Sequence, residues 1–167
     1  MIRTIESTFI ESARTRLCIH LTGQIRTCLD ALKVEQIWWR PNESSNAIGN
    51  LVLHCVGSTR FYIGHVVGGR EFVRDRAAEF AERRELPAAE LRARLDMAIE
   101  EADEVLAQVD PADLIATTER TPKPMTLLEA ISLQLTHYAL HAGQIAYATK
   151  LIDAHAIHEI WRTTPGH

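Results

Sequence analysis

The sequence predicts an all-α domain built as a bundle of four long helices, and three observations carry that prediction. Apolar residues recur at helical spacing through four segments of bundle length. Proline, glycine and Ser/Asn clusters separate those segments. Strand signals are nearly absent, since no Asn-Gly or Asp-Gly turn joins alternating runs. At 167 residues the chain reads as one domain, 1–167, long enough to enclose a single sizeable core.

The first helix is expected from about Thr4 to Leu32, with Ile10, Ala13, Leu17, Leu21, Ile25, Cys28 and Leu32 on one face. "WWRPNESSN" ends it, because Pro41 disfavours helix at the residue before it and the Ser/Asn cluster offers N-caps for a second helix. That second helix is expected from Asn46 to Val67. Its stripe is Ala47, Leu51, His54, Ser58, Phe61 and His65, and Gly68-Gly69 stops it. "REFVRDRAAEFAERRE" then reads as either an added short helix or a loop, its mixed charges suiting a solvated face. Pro87 suits the first turn of a third helix carrying Leu91, Leu95, Ala98, Ala102 and Val105 to a stop at Asp110-Pro111. After the polar "TERTPKP", Thr126 and Glu129 stand at capping-box spacing and start the fourth helix. Four such helices imply an antiparallel bundle with room for a longer second connection.

Composition narrows the function. A net charge of -4 argues against a nucleic-acid or anionic-membrane partner, which would favour a basic surface. No apolar run reaches membrane-span length, and the N-terminus lacks the features of a signal peptide. Three cysteines without CxxC spacing suit a reducing cytoplasm. No GxSxG elbow is present, which argues against a serine-triad enzyme.

The chemistry concentrates in "SLQLTHYALHAGQIAYATK". On a helical wheel Glu129, Ser132, Thr136, Gly143, Tyr147 and Lys150 gather on a wet side. Leu127, Ile131, Gln134, Tyr138, Ile145 and Ile152 face the other way. His141 then lies roughly 30° and His137 roughly 70° from the centre of the inward face, so both rings point into the bundle or its seam. Imidazoles at i and i+4 come within reach of one ion. A third donor must come from another helix, and His54, inward between Leu51 and Phe61, leads. His20 on the first helix is the reserve. His65 sits about 16 Å along the axis from His54, too far to share its ion. His155, His158 and His167 fall in a C-terminal tail from about residue 155. Three neutral imidazoles would leave coordination positions open, as in a catalytic site of zinc type. The plainer reading is that they are neutral, hydrogen-bonded core histidines. Gln144, one turn beyond His141, could bond a metal-bound water or a ligand's outer side, or be a seam amide. Cys55 points about 100° away from His54 and reads as a small core residue. Trp38 and Trp39 read as capping the bundle end.

"EQIWWRPNESSNAIGNLVLHCVGSTRFYI" together with "LQLTHYALHAGQIAYATK" resembles the DinB-like/YfiT-like metalloenzyme superfamily, closest to a bacterial subfamily of unknown function. The likeness runs the length of the chain through the WWRPN, LVLH and HxxxHxGQI motifs. It implies up-down-down-up topology in place of serial antiparallel packing, a three-histidine metal site on His54, His137 and His141, and a homodimer. Relatives include bacillithiol S-transferases and a mycothiol-dependent isomerase, but no thiol-cofactor signature is recognisable here. The leading functional expectation is an enzyme in which a divalent ion, zinc or nickel, binds and deprotonates a low-molecular-weight thiol for attack on a small electrophile in detoxification. A metal-dependent hydrolase is the first alternative. A non-catalytic, metal-stabilised stress-response protein is the second.

Overall fold

A computed structural model describes residues 3–157, and the fold it shows is all-α. The first long helix runs over residues 5–31 without a break, its Thr4 cap accepting from the Ser7 amide. A π-helical stretch, Thr15–Leu21, lies in its middle. There the Thr22 hydroxyl donates to the Leu17 carbonyl at 2.7 Å, taking up backbone that the wide turn frees. The second long helix covers residues 48–67 and turns π-helical over Arg60–Val67. The third is Ala88–Gln108 and the fourth Leu127–Ile152, which opens on the expected Thr126–Glu129 capping box. Leu17, Ile25, Val52, Ile63, Leu91, Leu95, Ile131, Tyr138 and Ile145 are almost wholly shielded and form the core.

Pairings between helices fix their directions. Arg14 pairs with Asp103, Arg26 with Asp96 and Asp30 with Arg92, so the first and third helices are antiparallel. Arg60 pairs with Glu101 and Gly68 meets Val105, so the second and third are parallel. Thr59 bonds Gln134 and His54 meets His137, so the second and fourth are antiparallel. The result is up-down-down-up, which corrects the simple antiparallel order that hydrophobic period alone suggests. Parallel neighbours cannot be joined by a tight turn. Residues 68–87 therefore travel back along the bundle, and they fold on the way into a short helix, Arg76–Ala81. Asp75 caps it, accepting from the Ala78 amide, and this settles the open choice between helix and loop.

Three small elements lie outside the sequence-based expectation: the helix Val34–Ile37, the 3-10 turn Pro111–Ile115, and a two-residue ladder pairing Thr117–Thr118 with Met125–Thr126. Each is too short to leave a periodic signal. Trp38 is half-buried and donates from Nε1 to the Leu86 carbonyl at 3.0 Å, tying the WWRPN turn to the end of the long connection. His155 is exposed, whereas Ile157 is only 3% exposed and belongs to the core, so burial reaches into the expected tail. His158 and His167 lie outside the described residues. No described helix is long and apolar enough to cross a membrane.

Candidate metal centre

His54 is carried by the second helix, His137 and His141 by the fourth, and the antiparallel contact between those helices brings the three rings together. His54 is 3% exposed, and the other two sit half-buried in the seam. The Nε2 atom of His137 lies 2.9 Å from that of His54 and 3.1 Å from that of His141. One ligand atom from each ring falls within 4.8 Å of the others. Two nitrogens on one tetrahedral zinc stand about 3.3 Å apart, so the spacing is already close to what a shared ion requires.

The outer nitrogens are held by acceptors. His54 Nδ1 is 2.7 Å from Glu79 Oε2, and His141 Nδ1 is 2.7 Å from Gln144 Oε1. His54 Nδ1 also has Arg74 Nη2 at 3.0 Å, but the acceptor-only Glu79 oxygen is the nearer neighbour, so Nδ1 carries the proton there as it does against Gln144 Oε1, and each Nε2 presents a lone pair. His137 Nε2 can donate to only one of its neighbours, and its buried Nδ1 has no partner. Protein groups alone therefore leave lone pairs facing each other and an imidazole half satisfied. A cation at the meeting point of the Nε2 atoms would take up the facing lone pairs, while His137 Nδ1 stays without a partner. The donor set fits a divalent ion of the kind imidazoles bind.

Glu79 belongs to the short helix in the long connection. Arg74 grips it with a fork, Nε to Oε1 at 2.8 Å and Nη2 to Oε2 at 2.9 Å. Asn50, buried on the second helix, donates to the Glu79 and Glu82 carbonyls and fastens this segment down. Phe80 packs its ring 4.5 Å from that of His54. Gly57, one turn beyond His54, makes the approach possible: a Cβ there would stand 1.9 Å from Glu79 Oε1. A helix-interior glycine costs about 1 kcal/mol against alanine, and room for this carboxylate accounts for it.

Burial would raise the Glu79 pKa, but hydrogen bonds from His54 and Arg74 and the Arg74 charge outweigh it, leaving the carboxyl below its ordinary range. Burial pushes His137 down to about 4, assisted by the neighbouring imidazoles and by Arg74 and Arg76. Burial lowers His141 as well, against the hydrogen bond to Gln144. His137 and His141 are thus biased towards the neutral form, the one that ligates metal.

Of the other expected residues, Gln144 joins the cluster and the remaining ones lie apart from it. His20 stays on the first helix and is not among the grouped donors. His65 bonds the Arg70 carbonyl through Nδ1 at 2.8 Å. Beyond Phe61, which packs partly buried against the core, the expected stripe is displaced, because the π-helical stretch changes register and turns Ile63 and Val66 inward. Gln144, exposed on the fourth helix, meets the outer nitrogen of His141. Cys18, Cys28 and Cys55 are all free and buried.

Sequence reading missed Arg74, Glu79 and Phe80, because their segment has the mixed charge of a solvated face. Gly57 on the His54 face was the available signal. A cleft of about 700 Å³ lies elsewhere, between the first and third helices. Both arginines of its lining are already paired, as Arg14–Asp103 and Arg26–Asp96, and burial raises its Cys18 thiol to about 12. That cleft offers neither an open ligand set nor a nucleophile.

Fold and site together define a helical bundle with a cation-ready imidazole cluster on one seam. The profile of the DinB superfamily matches residues 21–145, about three quarters of the chain, and the protein belongs to that superfamily. No curated protein matches the chain.

Proposed function

We propose that this protein is a divalent-metal-dependent enzyme acting on small molecules, and that its reaction joins a low-molecular-weight thiol to an electrophile. The observation that supports it most is the convergence of three Nε2 lone pairs from two helices, with His54 and His141 oriented from behind by Glu79 and Gln144. Three protein donors leave a four-coordinate ion one position for an exogenous ligand. Zinc and nickel are among the ions that suit an imidazole set. When bound, such an ion would favour the deprotonated form of a thiol sulfur or of water at neutral pH.

The chain's own contribution is orientation and water exclusion. Glu79 fixes the His54 tautomer, Arg74 fixes Glu79, and Phe80 covers one side of the His54 ring. Thiol transfer is favoured over hydrolysis by the resemblance to thiol-dependent relatives. The test incubates zinc- or nickel-loaded protein, purified without a metal-affinity tag, with simple thiols and electrophiles, and identifies the products by mass. A metal-dependent thioether is the expected product. A product carrying water indicates a hydrolase, and no turnover with metal bound leaves the ion a purely stabilising role.

A further inference from the structure

The cluster has a charged neighbour that its own construction does not use. Arg74 is consumed by Glu79, but Arg76, two residues on and exposed, makes no ion pair among the described residues. Its guanidinium is instead laid over the Phe80 ring, 5.1 Å from the centroid, and that ring packs 4.5 Å from His54. Stacking on an aromatic face holds an arginine in place while leaving its donor edge free. This free fork is therefore held beside the imidazole cluster by a two-step stack.

From this geometry we infer that the site takes small molecules bearing a carboxylate, which Arg76 binds while a second donor atom of the same molecule reaches the histidine cluster. The inference rests on the metal-site reading of His54, His137 and His141. Charge balance points the same way. Glu79 is neutralised by Arg74, so a bound divalent ion together with Arg76 would leave the site with uncompensated positive charge. One free planar fork matches one carboxylate through two parallel hydrogen bonds. The side chain of Asp75, which caps the short helix, stands next in sequence and works against a more highly charged group.

The test uses the full chain loaded with cobalt(II) and two probes of similar size, 3-mercaptopropionate and uncharged 2-mercaptoethanol. Titration follows the sulfur-to-cobalt absorption. The ratio of the two affinities is compared among wild type, Arg76→Gln and Arg76→Lys. Wild type is expected to prefer the carboxylate probe by about tenfold, the scale of a charge-assisted pair. Arg76→Gln brings the ratio close to one with cobalt stoichiometry unchanged, and Arg76→Lys retains part of the preference. An unchanged ratio in Arg76→Gln, with cobalt bound, overturns the carboxylate inference alone. Loss of cobalt from Arg76→Gln also overturns it, by making Arg76 a support of the cluster. Failure of the wild type to take up cobalt overturns the metal reading and this inference together.

Discussion

Two seams of the same bundle solve opposite problems. Between the first and third helices, arginines meet aspartates in register, at Arg14–Asp103, Arg26–Asp96 and Arg92–Asp30. Each of these charges has its complement. Between the second and fourth helices the contact is made by three imidazoles whose lone pairs converge, with Gln134 Oε1 and His137 Nδ1 buried and unpartnered nearby. Complementarity within the chain marks the first seam as structural. Its absence in the second is what asks for a ligand from outside, since buried polar groups left unmatched are costly.

The largest expected difference between the seams is their response to metal. Zinc at a free concentration a hundred times its Kd should stabilise the wild type by about 2.7 kcal/mol, by mass action. His137→Leu should abolish that response and, without metal, raise the melting temperature, since it removes an unmatched imidazole from a packed seam. A metal-free Tm that falls in this variant would mean the cluster is built to be stable empty.

Behind the ligands, Glu79→Ala should weaken zinc affinity by roughly 10- to 100-fold, the usual cost of losing a partner on a ligand's outer nitrogen. Gly57→Ala should move affinity in the same direction, because its Cβ displaces the same carboxylate. Competition with a chromophoric chelator measures both.

The pH response should divide the seams too. His137 and His141 have folded pKa values below their ordinary 6.5, His137 at about 4. An unfolded chain takes up those protons first, so metal-free stability should fall as pH drops from about 6.5 towards 4. Asp103 is held below its ordinary value by the hydrogen bond from Arg14, so its contribution is lost only as pH falls below about 3.8. Urea unfolding across this range, with His137→Leu alongside, separates the two windows.

The smallest effect belongs to the paired seam. Arg14→Ala should cost less than about 1 kcal/mol, shrink further in high salt, and leave metal affinity unchanged.

Much of this contrast was legible in the chain itself, for identifiable reasons. His137 and His141 stand at helical spacing on an inward face, and His54 lies in an apolar stripe of another helix, so local period was enough to nominate all three. Thr126 and Glu129 announced the fourth helix by a local hydrogen-bond pattern. The third helix's direction was different: period carries no polarity, and only the family resemblance supplied it. His65 turned out of the expected stripe, to the Arg70 carbonyl, because a 3.6-residue wheel cannot anticipate a π-helical stretch, whereas Phe61 still packs against the core. Glu79 and Arg74 reach the site through a crossover that exists only because two neighbouring helices run parallel. A mixed-charge segment gives no local hint that it will be buried.

Whether the three imidazoles share one cation is tested most directly by elemental analysis. Protein purified without a metal-affinity tag is compared with His137→Ala prepared the same way. One equivalent of a divalent transition metal is expected in the wild type and next to none in the variant. Equal metal content in both, or none in a wild type dialysed against zinc and nickel, would contradict a shared ion.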